Sequence, residues 1–378
     1  MGPTLLFTCT RLGSGSDATG GAKKDKGSVG LQKHELETMR VFDFFSGVGG
    51  YTCGAIQAFA DANDEGCEIT AIDHEVPVLA ALGANVRAHA PGAGYTQRSV
   101  RLGTDNFDMP DEDGATIVHF SPPCQAFSTA RRGTPPSERE LGDATRLVRW
   151  SLDAMVAKRY KRWSFENVPT DAVRRILTEY RDAHPDLVNF DEFDAKFYGC
   201  PSDRKRLIAG PSVMIRRLRE LAGVEVGIRD AFRTAGMEPP ADYCSNGNKS
   251  GGKLIARGVG QVAHTITASH HLVFCDARGQ AVRCVTPTES AILVGFPASW
   301  KLPSGSKIAQ RAAGNAISPC LSKAIVRVLL EIPSAPAPLP TTGGGDGGSC
   351  ELQELRADVQ ELWAMVRAQK RKLDALCA

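Results

Sequence analysis

The chain alternates short apolar runs with helical patterns, and each run breaks off into a polar or glycine-rich turn. VFDFF (41–45) runs into SGVGG, and a helical pattern follows through Ala60. CEITAID (67–73) ends in an acid and precedes the helical EVPVLAALGANVRAH (75–89). ATIVHF (115–120) meets SPPC, and RWSFE (162–166) follows a helix predicted over roughly 144–159. Short apolar runs of this kind suit strands covered on both faces. Strands alternating with helices give an α/β class with a doubly wound, mostly parallel sheet.

The remaining segments separate by composition. Residues 1–39 are rich in Gly, Ser, Lys and Asp and show no periodicity, which predicts a disordered arm. The α/β domain is expected over 40–210, completed by 304–332; two helices are expected between Val285 and Leu330. Between them, 211–303 reads as a small irregular region, with CSNGNKSGGK (244–253) as a loop. PSAPAPLPTTGGGDGGS (333–349) reads as a linker. Beyond it, Leu352, Val359, Val366 and Leu373 are seven apart, with Leu355, Leu362, Gln369 and Leu376 between them. This narrow a/d stripe predicts a coiled-coil helix over 350–378 and a homodimer through it.

A net charge of +2 neither requires nor forbids a nucleic-acid partner, since a local patch suffices. Eleven cysteines without a Cys-x-x-Cys pair, and no secretory signal over Met1–Ser14, predict reduced thiols inside a cell. The expected compartment is nuclear in a eukaryote and cytoplasmic in a bacterium. Histidines show no ligand spacing, so no metal is expected. No apolar run approaches the length of a membrane span.

In open parallel sheets the ligand lies beyond the carboxyl ends of the strands. Those ends carry Ser46–Gly50, Asp73, Ser121–Cys124 and Glu166–Asn167. The glycines suit a cofactor approached by backbone, and equally a plain turn. Asp73 suits ribose hydroxyls, or a helix N-cap. Cys124, held by two prolines, suits a nucleophile, or a buried thiol. Glu166 suits a general acid, or a capping group.

Six segments occur in order: DFFSGVGG (43–50), SPPCQAFS (121–128), FENVP (165–169), YGCPSDRKRLI (198–208), RCVTPTESAILVGFP (283–297) and GNAISPCLSKAI (314–325). Together they resemble the motif set of C5-cytosine methyltransferases over roughly 40–330. The resemblance implies a methyltransferase fold dependent on S-adenosylmethionine, with 211–303 carrying target recognition, and double-stranded DNA as partner. It makes Cys124 the nucleophile at cytosine C6. Glu166 protonates N3, Arg206 holds the carbonyl oxygen with Arg204 as companion, and Asn167 orients the Cys124 loop. It assigns Phe45, Ser46, Gly47 and Val48 to the methionine side, Asp73 to the ribose and His74 to the adenine face. Ser121, Pro123, Leu147, Asn315 and Ala316 complete the cofactor wall. A paired base is out of reach, so the family flips its cytosine, and Arg131, Arg132 and Arg139 would close on phosphates.

The chain departs from the family where a third-strand acid reads the adenine amino group. Gln97-Arg98-Ser99-Val100 stands there, and restoring the acid by Ser99→Asp is expected to tighten cofactor binding. The turn before the arginines is Ser202-Asp203-Arg204, and the variable region is short, although IRDAF (228–232) looks familial. One branch of the family acts on tRNA; its Cys-Phe-Thr tripeptide is absent here. A catalytically silent DNA-binding scaffold is the remaining reading, against which intact Cys124, Glu166, Arg204 and Arg206 speak.

Overall fold

β1 (Arg40–Phe44) lies inside a seven-stranded sheet, and the chain winds outward from it in both directions. On one side follow α1 (Gly50–Asp61), β2 (Glu68–Asp73), α2 (Val76–His89) and β3 (Gly94–Ser99). On the other lie β4 (Thr116–Phe120), α3 (Glu138–Lys158), β5 (Arg162–Asn167), α4 (Asp171–Ala183), β6 (Asn189–Asp194) and β7 (Lys205–Gly210). The strand order is β3-β2-β1-β4-β5-β7-β6, with β7 antiparallel to both its neighbours and the other pairs parallel. The computed structural model describes residues 38–62, 66–128, 135–250, 253–269 and 272–331. The predicted arm up to residue 37, Arg131 and Arg132, the 333–349 linker and the 350–378 heptads lie outside the described residues.

The sheet is covered on both faces, as the unbroken apolar runs require. Val41, Ile69 and Ile117 pack into one core with Tyr51, Leu79 and Leu321. Phe44, Ile72, Phe120 and Phe165 pack into another with Val148, Leu152 and Leu177. Phe44 and Phe120 stack at 4.4 Å across adjacent strands. β3 is the exception, an exposed polar edge.

α3 starts six residues before the expected 144. Ser137 and Glu140 form a capping box: Ser137 Oγ accepts from Glu140 N (3.2 Å), and Glu140 Oε2 accepts from Ser137 N (2.8 Å). The cap, not apolar spacing, sets this end. Ser137→Ala is expected to cost about 1 kcal/mol in urea unfolding. An unchanged midpoint would show the box contributes nothing.

After β7 come α5 (Ser212–Glu220) and α6 (Ile228–Thr234), then a second sheet. Its strands are β8 (Tyr243–Ser250), β9 (Lys253–Gly258), β10 (Val273–Cys275) and β11 (Ala281–Cys284), ordered β11-β10-β8-β9 and antiparallel throughout. The stretch 244–253, expected as loop, thus contributes most of β8. Its turn-forming residues fall at a register shift between Ser245 and Lys249, where Gly247 takes φ 85°. Three helices rather than two follow: α7 (Pro287–Val294), α8 (Ser306–Asn315) and α9 (Pro319–Leu330). α9 returns to lie on α1. A Cβ on Gly50 would meet the Ile317 carbonyl oxygen at 2.1 Å, so only glycine permits this approach. Among the described residues no helix is long and apolar enough to cross a membrane.

Candidate active site

The loops leaving β1 and β4 emerge side by side where the winding direction reverses, and a cleft of about 420 Å³ opens there. Phe45 takes φ 60°, unusual for a bulky residue, and Gly47 φ 51°, so the turn folds back sharply. Asp73 at the end of β2 holds it. Gly47 N donates to Asp73 Oδ2 and Glu75 N to Asp73 Oδ1, each at 2.9 Å. Asp73 therefore fixes the turn that leads into α2, without capping the helix itself, and also faces the cleft. Ser121 Oγ donates to the Phe45 carbonyl (3.3 Å), tying the second loop to the first.

The cleft is lined from β1 by Phe45, Ser46, Gly47 and Val48, from β2 by Asp73 and His74, and from β4 by Ser121 and Pro123. Asn315 and Ala316, at the end of α8, close it. Leu147 does not reach it. That side chain lines an adjoining cavity of about 370 Å³, shared with Phe45, Asp73, His74 and Pro123. Val100, Arg101 and Leu102 line this extension and Ser99 does not, because Ser99 still pairs with Asp73 at the strand end and is exposed. The expectation for Ser99→Asp is corrected accordingly: an acid there stands outside the cavity. Arg139 is 93% exposed in the first turn of α3 and lines the same extension.

A second cavity, of about 760 Å³, lies on the other side of Cys124. Cys124, Gln125 and Asn315 line both. The loop holding the thiol is fixed by Asn167, whose Nδ2 donates to the Pro122 carbonyl at 3.1 Å. Glu166 on β5 faces the first cavity and Arg206 on β7 the second; Arg206 Nε lies 2.6 Å from Glu166 Oε1, both side chains buried. Burial pushes the Cys124 thiol up, Arg206 draws it down and Glu166 raises it again, with burial dominant. The far wall of the second cavity is Thr265–Ser269.

Arg204 lines neither cavity. It is fully buried, and its guanidinium donates to the carbonyls of Ile266 (3.1 Å), Gly314 (3.0 Å) and Ala316. It thereby joins the wall of the second cavity to the closing segment of the first. Its place is that of a strut between the two cavity walls, against the expectation that it accompanies Arg206 at the site. Gly314 packs so tightly here that a Cβ would meet Ala268 N at 2.3 Å.

The profile of C-5 cytosine-specific DNA methylases matches residues 227–331. Type II methyltransferase M.NlaX of Neisseria lactamica is 24% identical over 314 residues, covering 76% of this chain and 94% of that protein. A Methanocaldococcus jannaschii protein named as a type II methyltransferase is 24% identical over 242 residues, 57% of this chain; the match spans 65% of that protein's length. The chain is thus similar to C-5 cytosine-specific DNA methylases over 227–331 and to type II methyltransferases over a longer stretch. Solved structures agree on the fold. A DNA modification methyltransferase encoded within an Escherichia coli prophage superposes with a TM-score of 0.53 at 17% identity, covering 78% of this chain and 99% of its own. A DNMT2 mutant from Spodoptera frugiperda gives 0.52 at 15% identity, with 78% and 100% covered.

Tyr51, Glu75, Arg311 and Asp43 also line the cleft, and the sequence motifs did not single them out. Asp43, inside β1, is fully buried and lines the first cavity. The signal was present as an acid interrupting VFDFF.

Proposed function

We propose that this chain is a DNA cytosine-5 methyltransferase that takes its methyl group from S-adenosylmethionine. The observation that carries the reading is the position of Cys124, on the wall common to two cavities and beside the Glu166–Arg206 pair. A reaction joining two substrates needs both held side by side at the reacting atoms, and this wall is where the two cavities meet. The first cavity suits the cofactor: Asp73 offers a carboxylate to ribose hydroxyls, and Asp43 Oδ1 and Ser46 Oγ, both buried, have no hydrogen-bond partner among the described residues. The second is open to a flipped base and walled by hydroxyl-bearing residues. The name of the matched family supports DNA over tRNA, as does the absent Cys-Phe-Thr tripeptide.

Bound S-adenosylmethionine supplies an electrophilic methyl on a sulfonium. The Cys124 thiolate bonds to C6 of cytosine, and the ring electrons move toward C5. Glu166 is placed to give a proton to N3, and Arg206, paired with it, to hold the carbonyl oxygen. C5 would then take the methyl as the methyl–sulfonium bond breaks and leaves its electron pair on the thioether; the C5 proton passes to solvent, N3 returns its proton to Glu166, and the C6–sulfur bond breaks so that the thiolate returns. Asn167 keeps the loop in register through Pro122.

A duplex carrying 5-fluorocytosine tests this directly. Fluorine cannot leave C5 as a proton does, so a covalent complex through Cys124 should accumulate with S-adenosylmethionine present. Because burial raises the thiol, the thiolate is the minor form at neutral pH, and trapping should speed up from about pH 7 to about pH 9. Absence of any adduct, or an adduct on fluorinated tRNA alone, would overturn the reading.

A further inference from the structure

The turn that delivers Arg206 to the second cavity is held from outside the seven-stranded sheet. Ser202 forms an isolated parallel bridge with Ala263. Ala263 N donates to the Pro201 carbonyl (2.8 Å), and Asp203 N donates to the Ala263 carbonyl (2.9 Å). The Asp203 carboxylate pins this bridge on both flanks. Arg257 Nη1, from β9 of the second sheet, donates to Asp203 Oδ2 at 2.5 Å. Lys196 Nζ, from the connection between β6 and β7, donates to Asp203 Oδ1 at 3.2 Å. The same Arg257 Nη1 lies 3.3 Å from the carbonyls of Val262 and Ala263.

The second cavity hangs on this junction. Its far wall, Thr265–Ser269, starts two residues beyond Ala263, and Arg206 stands three residues beyond Asp203. The register of 201–203 against 262–263 therefore sets how far Arg206 lies from the wall opposite. Asp203 and Arg257 themselves line neither cavity. Burial pushes the Asp203 carboxyl up, and the hydrogen bonds from Arg257 and Lys196 bring it below the usual carboxylate range, so it is charged at neutral pH. Lys196 has further acids within reach, Asp194 at 3.8 Å and Glu225 at 3.9 Å. Among the described residues Arg257 forms an ion pair with Asp203 alone. The two side chains are 23% and 32% exposed, and a pair so open to solvent adds little to overall stability. Its placement points to geometry as its use.

We propose that Asp203 is a positioning residue: through Arg257 it locks the second sheet and the wall of the second cavity in the register at which Arg206 faces a flipped cytosine, and so sets the rate of covalent bond formation without touching base or cofactor. The proposal rests on the reading of the second cavity as the base site. A displacement of about 1 Å near the reacting atoms costs up to about a hundredfold in rate, so slack at this junction is felt at Cys124. The cofactor is held by other walls and does not feel it. The pair also connects the sheet expected to recognise the target to the group that grips the base.

Adduct kinetics of the full chain with a 5-fluorocytosine duplex and saturating S-adenosylmethionine test this. Asp203→Asn removes the charge and leaves the backbone bridge to Ala263 in place, so the fold is retained. At saturating duplex its adduct rate should fall about tenfold. The duplex concentration giving half the maximal rate, and the calorimetric affinity for S-adenosylmethionine, should stay within about twofold. The melting temperature should stay within about 3 °C. Asp203→Glu keeps the carboxylate and should recover most of the rate. Arg257→Gln should reproduce the defect, and the double variant should be no slower than either single one, because one link can be lost only once. An unchanged adduct rate in Asp203→Asn overturns the proposal. So do losses that multiply in the double variant, or a rate that falls only in step with the melting temperature or with duplex affinity. Those results leave the methyltransferase reading standing, whereas absence of any adduct with the unsubstituted protein overturns both.

Discussion

Cys124→Ala is expected to reduce methyl transfer to less than about a thousandth of the unsubstituted rate while leaving cofactor affinity nearly intact. In the proposed mechanism the thiol is the group that makes C5 nucleophilic, and neither neighbour is free to replace it. Glu166 and Arg206 are bound to one another, and Asn167 is committed to Pro122. The first cavity loses little, because its floor and walls come mainly from the turn after β1, from Asp73 and from Asn315 and Ala316. Tritium transfer to plasmid DNA and calorimetry with S-adenosylmethionine give the two numbers. Residual transfer above about a thousandth would remove Cys124 from the reaction, and parallel loss of binding would make it a cofactor residue.

Arg204→Met is the second large effect, and it acts on the fold. The substitution strips a buried cation from the carbonyls of Ile266, Gly314 and Ala316 and leaves all three without that donor in a dry interior. Each buried acceptor left unmatched costs about 1–3 kcal/mol, so the total is on the order of 3–5 kcal/mol. For a domain of this size that lowers the melting temperature by about 10 °C. Arg204→Lys keeps the charge but cannot span both segments, and should fall between. A melting temperature within about 3 °C of the unsubstituted protein would show that the strut carries little. Adduct formation with 5-fluorocytosine should decline as well, since the walls of both cavities hang from this one side chain.

The strand-end residues were legible because the topology of a parallel sheet forces its carboxyl ends to one edge. Gly47, Asp73, Cys124 and Glu166 need no further information to converge. What escaped depends on contacts distant in sequence. Arg204 and Arg206 are indistinguishable as a string; Arg206 lies inside β7 opposite Phe193, whereas Arg204 stands just before the strand and is drawn to the distant carbonyls of Ile266, Gly314 and Ala316. Ser99 fell outside its cavity by one residue, the smallest step that reverses the facing of a strand. The 244–253 stretch has turn-forming residues, and tertiary pairing absorbed them in a register shift. Asp43 reads as a flaw in a strand until the cavity beside it is seen.

The contact of α1 with α9 bears on how such a chain is made. Gly50 stands directly after the cofactor turn, yet the surface it closes against, at Ile317, lies some 270 positions downstream. Trp300 Nε1 likewise reaches back to donate to the Val48 carbonyl at 3.0 Å. A nascent chain leaving the ribosome therefore presents Cys124, its glycine turn and the first five strands of the sheet long before the segments that shut them in. Through that interval the apolar face of α1 stands bare, closure must wait for a very long loop, and the growing polypeptide is most exposed to aggregation and most in need of a chaperone.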